Sequence, residues 1–527
     1  MRRALLALAA GLVAAPPLAG QLTTAERSGY TATSSHAAVV AFLDTLVLRG
    51  AGIRVGTLGT SAQGRPIPFA VAARPMVDDP AAAHRSGKPV VVVQGNIHGG
   101  EVEGKEAALM LLRDLTLGPL RPLLDSLVLV VVPIYNTDGN DAFGPGARQR
   151  PGQNGPDTVG LRPNGMGLDL NRDYIKQEAP ETRAAAALVA AWDPDLFLDL
   201  HTTNGSYHGY ALTYAPGLNP NSSPANDWVR DRLLPEVRDR MRRRHGQEVF
   251  DYGNFQNQHP DSLTQGWWTY DARPRFGVNW VGMRGRMAIL SEAYSNADFA
   301  TRVSATYNFV REILGLVAAE RATVKRLVAE ATLQRPDSVV VRSTFAPPRT
   351  REVIAELTEA AAEGSGGFAR RRRTGVFRTI AMPVVDRFVA ARREAIPAAY
   401  LLPPQHAHLV DALRRHGIVV QRLAADWRGP VEAFRVDTLA AAPNVFEGHR
   451  TVTVSGTWQP REGVARTGWF LVPTDQRLGV LAAYLLEPSS EDGFVQWNFL
   501  DRDLRRGADA PILRVRQLPQ VAGTLVP

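Results

Sequence analysis

The apolar and polar positions in the first two thirds of the chain alternate between short apolar runs and longer segments of helical character. Short, nearly continuous apolar runs predict buried strands, whereas longer periodic segments predict helices. The predicted strands are Ile53–Leu58, Pro89–Ile97, Ser126–Tyr135, Leu196–Leu200 and Arg286–Ala293. The predicted helices are Ala37–Arg49, Glu101–Leu115, Pro180–Trp192, Ala225–Arg244 and Tyr307–Ala331. This alternation predicts an α/β domain with a mixed central sheet flanked by helices.

The pattern changes near residues 333–348, and a smaller α+β domain is expected after it. Ala399–Leu402, His406–His416 and Ile418–Arg422 form a strand–helix–strand pattern. A later strand is predicted at Arg450–Ser455 and a helix at Leu478–Leu486. A chain of 527 residues also exceeds one comfortable hydrophobic core. We therefore predict one domain over residues 21–335 and a second, of unknown role, over residues 340–527.

The first twenty residues have the pattern of a bacterial signal peptide. Met1-Arg2-Arg3 precedes the apolar run of residues 4–15, and small residues stand at Ala19-Gly20. The alternative, an uncleaved membrane anchor, is disfavoured because the apolar run is too short to span a bilayer comfortably. We expect a cleaved signal peptide at residues 1–20, export to the periplasm or the extracellular space, and no stable membrane insertion.

The composition excludes some classes of function. The sequence is 45% hydrophobic and 21% charged, which is typical of a soluble globular protein. The formal net charge of +8 is spread along the chain, so it does not predict a nucleic-acid partner. The absence of Cys excludes disulfides and thiolate metal ligands. One dense basic cluster, residues 370–373, follows the glycine-rich residues 364–367 and is expected to be an exposed loop.

The segment from His98 to Glu101 carries the first sign of chemistry. It leaves a predicted strand and enters a predicted helix, so an imidazole and a carboxylate can converge on one small cation. Zinc accepts such nitrogen and oxygen ligands at about 2.0–2.2 Å. The segment from His245 to Glu248 has the same spacing, but it follows a charged helical stretch and predicts only a solvated helix end.

Two further residues end predicted strands. His201 follows the run at residues 196–200, and Glu292 follows Met287-Ala288-Ile289-Leu290-Ser291. Each alone is more often structural, but ligands of open α/β sheets bind at the carboxyl edge of the strands. Together with His98 and Glu101 these residues predict metal-assisted hydrolysis, in which a metal lowers the pKa of water to about 7. Glu292 is the candidate base, since Glu101 would be a ligand.

With these residues the sequence resembles the zinc carboxypeptidase family, the carboxypeptidase A-like metallopeptidases, over about residues 30–335. His98 and Glu101 match the family's H-x-x-E ligand pair, His201 its third ligand and Glu292 its general base. The resemblance implies one zinc ion on those three ligands and a zinc-bound water activated by Glu292. Other segments, such as residues 473–476, are similar to a divergent exported bacterial subgroup.

The family's Asp-x-Asn-Arg element matches Asp169-Leu170-Asn171-Arg172. The resemblance implies that Asp169 orients His98 from behind, as is usual for a ligating imidazole. It also implies that Asn171 and Arg172 bind the substrate's terminal carboxylate, for which a planar guanidinium is well suited.

Two family residues lack a secure match. The family has an oxyanion-stabilising Arg after a turn that corresponds here to residues 136–139. The loop that follows this turn offers three candidates: Arg148, Arg150 and Arg162. Loop position favours Arg150. For the family's tyrosine near the scissile bond, Tyr270 is favoured because it precedes Glu292 by 22 positions, and Tyr252 is the alternative.

Four arginines stand shortly before the base: Arg273, Arg275, Arg284 and Arg286. We favour a structural role for them over recognition of a second substrate carboxylate, because structural ion-pair networks imitate such sites.

These observations favour an exported zinc metallocarboxypeptidase that acts on the C-termini of peptides or proteins. One alternative is a related zinc amide hydrolase acting on γ-glutamyl or diaminopimelate links of cell-wall peptides. Another is a catalytically silent binding module, which the complete set of ligands and base argues against. The preferred C-terminal side chain and the oligomeric state stay open.

Overall fold

A computed structural model describes residues 22–222, 224–360 and 371–526. The predicted signal peptide lies outside the described residues, as does Arg370. In the described part of the chain, no helix combines the length and the apolarity that crossing a membrane requires.

The strands before residue 300 are β1 Ile53–Thr60, β2 Pro66–Ala72, β3 Val90–Gly95, β4 Val128–Val132, β5 Gly144–Pro145, β6 Thr158–Val159, β7 Leu196–Thr202, β8 Leu212–Pro216, β9 Val249–Asp251, β10 Asn254–Phe255, β11 Trp267–Trp268 and β12 Met287–Ala293. The later strands are β13 Ser338–Phe345, β14 Arg349–Ala360, β15 Arg371–Val385, β16 Phe388–Ala395, β17 Ala399–Leu402, β18 Gln421–Leu423, β19 Trp427–Ala441, β20 Val452–Ala465, β21 Phe470–Pro473, β22 Asp509–Val515 and β23 Gly523–Leu525. The helices are α1 Thr24–Arg27, α2 His36–Leu48, α3 Pro80–Arg85, α4 Glu103–Thr116, α5 Thr137–Asp141, α6 Gly146–Gln149, α7 Pro180–Trp192, α8 Pro224–Trp228, α9 Leu234–His245, α10 Gly277–Met283, α11 Phe299–Ala319, α12 Arg321–Leu333, α13 Ala407–Arg415 and α14 Gly479–Leu486.

The main sheet of the described residues has eight strands in the order β1-β2-β4-β3-β7-β12-β8-β9. Its centre is parallel, since β3 pairs with β4 and β7, and β7 pairs with β12, in parallel register. Strand β2 pairs in antiparallel register with β1 and β4, and β8 pairs in antiparallel register with β12 but in parallel with β9. The sheet is therefore mixed, and its parallel centre brings the carboxyl ends of β3, β7 and β12 to one edge.

Helices cover both faces of this sheet. In β3, Val90 and Val92 pack into one apolar cluster and Val91 and Val93 into the other, as the alternation of a strand between two layers requires. Continuous apolar runs are typical of parallel strands buried on both faces. The predicted α/β class with a mixed central sheet flanked by helices is therefore confirmed.

The C-terminal part is built mainly of strands. Its seven-stranded sheet has the order β20-β19-β22-β17-β21-β18-β23 in the described residues. The predicted strand–helix–strand pattern is present as β17, α13 and β18, with β21 inserted between the two strands. Together with α14 these elements give the predicted smaller α+β arrangement.

The two predicted domains share structure across their boundary. Strand β11 pairs in parallel with β15, with Trp267 opposite Val384. One apolar cluster also contains Trp280 of α10 and Tyr400 of β17. The secondary structure changes from α12 to β13 near the predicted boundary, but the apolar core and the strand pairing continue across it.

Some local predictions were wrong. The segment expected as one helix at residues 307–331 contains the end of α11 and most of α12. Arg371–Arg373, expected in a loop, begin β15, where Arg373 pairs with buried Glu356 at 2.7 Å. The run of like charges at the start of β15 conceals its strand character, although β15 pairs with β14.

Candidate active site

The parallel strands bring the predicted ligands together. His98 follows β3, His201 is the penultimate residue of β7, and Glu292 is opposite His201 in β12. Glu101 lies two residues before α4. The carboxyl edge of three neighbouring strands thus positions all four side chains.

His98, Glu101 and His201 converge on one point. The Nδ1 atom of His98 lies 3.0 Å from Oε1 of Glu101, and Nδ1 of His201 lies 3.1 Å from Oε2 of the same carboxylate. One ligand atom from each of the three residues lies within 4.8 Å of the others. All three residues are buried. This is a donor set of two imidazoles and one carboxylate, as in catalytic zinc sites.

Carboxylates hold the far side of each imidazole. Oδ1 of Asp169 lies 3.0 Å from Nε2 of His98, and Oδ2 of Asp199 lies 3.0 Å from Nε2 of His201. Such contacts fix the ring orientation and leave Nδ1 free to ligate. Burial lowers the pKa of His201, but Asp199 and Glu101 outweigh it and hold this pKa well above its ordinary value. The site therefore attracts positive charge, and the residues fit a zinc ion.

A cavity of about 200 Å³ opens on this donor set. The three ligands and Glu292 line it, together with the polar side chains of Asn171 and Arg172. The aromatic and aliphatic part of the lining comes from Tyr252, Tyr270, Phe276, Val278 and Leu290.

Arg162 lines the cavity, whereas Arg150 does not. Arg162 pairs with Asp169 at 2.9 Å, and its Nη1 lies 3.5 Å from Oε1 of Glu101. Arg150 is buried behind Glu101, to which it donates at 3.0 Å, and its Nη2 donates to the carbonyls of Thr202 and Thr203. The guanidinium that can reach a substrate is therefore that of Arg162. Position in the loop, which favoured Arg150, does not determine which arginine side chain points into the cavity.

Asn171 and Arg172 lie on a short 3-10 turn, Leu170–Arg172, that Asp169 caps by accepting from the Asn171 amide at 2.9 Å. The Arg172 guanidinium stacks on Phe276, 4.2 Å from the ring centroid. Oδ1 of Asn171 accepts from the Gly277 amide at 3.0 Å. Both polar heads face the cavity from a rigid support.

Tyr270 and Tyr252 both line the cavity, with their rings edge to face at 5.5 Å. Among the described residues, none hydrogen-bonds the buried hydroxyl of Tyr270. Such an unpaired hydroxyl is costly unless a ligand or water completes it. Tyr270 is thus placed to meet a bound molecule.

The carboxylate of Glu292 also lines the cavity, and it is available for chemistry because it takes no part in the ion pairs that surround Glu101. Burial raises its pKa to about 8, with a smaller increase from Glu101, while His201, Arg150 and Arg162 act in the opposite direction. A bound divalent cation would favour the ionised form, so this carboxyl is poised to exchange protons.

The four arginines before Glu292 support structure. Arg275 pairs with buried Asp492 at 2.7 Å, and Arg286 pairs with Asp193 at 2.6 Å. Arg284 donates to the carbonyl of His416, and Arg273 pairs with the carboxylate of Asp271. The segment from His245 to Glu248 begins at the end of α9, as predicted, but the His245 side chain is not solvated: it is only 12% exposed, and its Nε2 lies 2.9 Å from the buried Glu312 carboxylate.

Sequence reasoning missed two groups at the site. Asp199 lies two positions before His201 on the same strand face, and this spacing could have identified it. Glu447, from the C-terminal part, accepts a hydrogen bond from the Asp169 amide at 3.1 Å. No local pattern marks Glu447, since 278 positions separate the two residues.

Comparison with known proteins agrees with this geometry. Residues 39–281 match the family model described as zinc carboxypeptidase. Carboxypeptidase 2 of Trichophyton rubrum is 25% identical over 483 residues, covering 86% of this chain and 81% of that protein. Carboxypeptidase D of Mus musculus is 30% identical over 157 residues, covering 25% of this chain and 11% of that protein.

Among solved structures, a metallo-carboxypeptidase from Burkholderia cenocepacia is similar with a TM-score of 0.40 and 17% identity, over 55% of this chain and 70% of that chain. Carboxypeptidase A from Helicoverpa armigera has a TM-score of 0.41 and 18% identity, over 55% of this chain and 75% of that chain. The family match covers His98, Glu101 and His201, and strand pairing adds Glu292. Over residues 39–281, a little under half of the chain, the protein is therefore similar to the zinc carboxypeptidase family of metallopeptidases.

Proposed function

We propose that this protein is an exported zinc metallocarboxypeptidase that removes C-terminal residues from peptides. One observation carries the proposal: a single cavity joins the His98, Glu101 and His201 donor set, the Glu292 carboxyl and the Arg172 guanidinium. That combination offers a metal, a base and an anchor for a terminal carboxylate within reach of one small substrate.

His98, Glu101 and His201 would hold one zinc ion. Bound there, zinc supplies Lewis-acid polarisation of a carbonyl oxygen and lowers the pKa of a water molecule. Asp169 and Asp199 keep the two imidazoles oriented for this task.

Glu292 acts as the general base and then as the general acid. Its carboxylate takes a proton from the attacking water as the carbon–oxygen bond forms. It returns that proton to the amide nitrogen as the carbon–nitrogen bond breaks, which releases an amine and a carboxylate. Burial raises the pKa of Glu292 to about 8 in the metal-free site, and a bound cation would lower it from there toward values at which the group both takes up and releases a proton near neutral pH.

Arg162 stabilises the negative charge that develops on the carbonyl oxygen. Its side chain is about one third exposed and is held by Asp169 at the cavity wall. A preorganised cation at this point is worth roughly 3–4 kcal/mol in comparable deletions. We expect Arg162→Gln to lower kcat strongly. Arg150→Gln is expected to act indirectly, by destabilising the contacts around Glu101.

Arg172 and Asn171 bind the terminal carboxylate, and the unpaired hydroxyl of Tyr270 donates to the substrate backbone. With the carboxylate on Arg172 and the scissile carbonyl near the ligands, the last side chain enters the wall formed by Val278 and Leu290. Asp271 nearby is paired with Arg273 at 2.6 Å, so this wall favours an apolar side chain over a basic one.

A mass-spectrometric digest tests the activity. The substrates are mixed peptides, each with a free and an amidated C-terminus, with and without a zinc chelator. Chelator-sensitive trimming of free C-termini alone is the expected result, and Glu292→Gln is expected to keep zinc yet lose about 10²–10⁴-fold in turnover. Hydrolysis of cell-wall fragments but not of standard peptides would favour the amide-hydrolase alternative. Zinc binding without turnover on either would leave a silent binding module.

Export rests on the basic and apolar pattern of residues 1–20. Expression of the full chain in a bacterial host tests it. Mature protein in the periplasm or medium whose mass begins at Gln21 is expected. Full-length protein confined to the cytoplasm would contradict export without affecting the catalytic assignment.

A further inference from the structure

A tight turn between β19 and β20 contacts the segment that carries the cavity-lining Asn171 and Arg172. Phe446 and His449 exchange two backbone hydrogen bonds, of 2.8 and 3.0 Å. Glu447 and Gly448 between them have φ angles of +49° and +80°. Two successive left-handed residues are the signature of a type I′ hairpin turn. A glutamate is uncommon in this conformation, so its presence at position 447 is a distinctive feature of the turn.

The turn is held by a contact to the first domain, through Glu178, and by contacts within the C-terminal domain, to Asn498 and Trp497. Nε2 of His449 lies 2.9 Å from the Glu178 carboxylate, and Nδ1 lies 3.0 Å from Oδ1 of Asn498. The ring of His449 also stands edge to face on Trp497, at 5.5 Å between ring centroids. The ring of Phe446 lies 6.1 Å from the same indole. The turn therefore has a defined place relative to the cavity.

Glu447 contacts the segment that carries the substrate clamp. Its Oε2 accepts from the backbone N–H of Asp169 at 3.1 Å. The Asp169 carboxylate in turn accepts from the Asn171 amide and faces His98. The amide and the carboxylate of Asp169 are thus held by different partners, and Arg172 follows on the same 3-10 turn.

The charge of Glu447 also acts on Arg172. Burial lowers the pKa of the Arg172 guanidinium, and Arg162 and Arg275 act in the same direction, whereas the carboxylates of Asp169 and, to a smaller extent, Glu447 oppose these effects. Glu447 thus adds a small part of the negative charge around the guanidinium.

From these contacts we propose that Glu447 is a positioning residue, through which the C-terminal domain holds the Asp169–Arg172 segment in the geometry that binds a terminal carboxylate. The inference rests on the proposed carboxypeptidase function for its consequence, but the contact itself does not. It gives the C-terminal domain a role in the active site.

Hydrogen exchange measured by mass spectrometry tests the contact without any substrate. The full chain is compared as wild type, Glu447→Ala, Glu447→Gln and Val445→Ala, the last being a matched control at an exposed position of the same loop. Loss of one net hydrogen bond corresponds to about a fivefold to tenfold change in an opening equilibrium. We expect exchange in peptides covering residues 168–172 to accelerate by about that factor in Glu447→Ala.

Glu447→Gln keeps an acceptor oxygen and is expected to restore most of the protection, and Val445→Ala to match wild type. Unchanged exchange of residues 168–172 in Glu447→Ala would overturn the proposal. Peptides covering β3 report whether the variants are folded, and faster exchange there as well would show general destabilisation, which also overturns a specific role.

Kinetics with a free-C-terminus peptide test the consequence. Glu447→Ala is expected to raise KM about tenfold with a smaller change in kcat, because it loosens the clamp rather than the base. An equal fall in kcat and kcat/KM would contradict positioning of the clamp. A wild type that cleaves no peptide would refute the proposed function, while the exchange result would still decide the Glu447 contact.

Discussion

Asp169→Asn tests whether the carboxylates behind the imidazoles control the affinity for zinc. The substitution keeps the shape of the side chain but removes the charge facing Nε2 of His98 at 3.0 Å. It also replaces one oxygen by an NH2 group near the Arg162 guanidinium, where Asp169 now pairs at 2.9 Å. The side chain is only 12% exposed, so solvent screens little of the loss.

The magnitude follows from the geometry. Removing a carboxylate behind a ligating His costs about 10–100-fold in metal affinity, or about 1.4–2.7 kcal/mol. Asp199→Asn should cost a similar amount, since it faces His201 at the same distance. Asp261→Asn is the control, because its side chain is 89% exposed.

Competition with a chromophoric chelator at constant pH measures the zinc dissociation constant of each variant. Urea unfolding of the metal-free proteins shows whether the fold is intact. A dissociation constant for Asp169→Asn or Asp199→Asn within twofold of wild type would refute the argument that these carboxylates orient zinc ligands. Equal weakening in Asp261→Asn would show that the loss is not local.

Three further outcomes are expected. Arg172→Ala should raise KM for peptides with free C-termini about 10–100-fold but leave any reaction with amidated peptides unchanged, and equal effects on both would contradict the clamp. Asp492→Ala leaves buried Arg275 unpaired and should cost about 3–5 kcal/mol in urea unfolding, whereas breaking the exposed Asp426 pair should change little. Burial lowers the pKa of His416 to about 3 in the fold, so its stability contribution is complete above pH 6.5 and is lost as the pH falls toward 3, by about 1.4 kcal/mol per pH unit. His416→Gln should flatten that dependence between pH 6.5 and 4.5, and parallel curves would contradict it.

The candidate site residues at the ends of strands could be predicted from the sequence because the pattern that marks them is local. Apolar runs identify buried strands, and the residue that follows each run lies at the carboxyl edge of the sheet. His98, His201 and Glu292 are predicted in this way. Their meeting then depends only on parallel pairing of β3, β7 and β12, which the alternation of strands and helices predicts.

Side chains on irregular backbone could not be predicted in this way. The loop after residue 139 has no periodicity, so nothing local indicates that Arg162 faces the cavity while Arg150 turns toward backbone carbonyls. Long hairpin strands such as β14 carry many charged residues, which conceal a half-buried face. Glu447 reaches Asp169 only through the packing of the C-terminal domain, and no sequence spacing encodes that contact.

The pairing of β11 with β15 has a consequence for how the protein matures. Trp267 and Trp268 lie next to Tyr270 of the cavity wall, yet their strand partner is synthesised more than a hundred residues later. Until β15 has been synthesised, the β11 strand beside this wall therefore lacks its parallel partner. Folding dominated by such distant pairings is slow compared with folding through local contacts. A chain that ends before β15 would therefore leave the Trp267–Trp268 strand beside the cavity without its parallel partner.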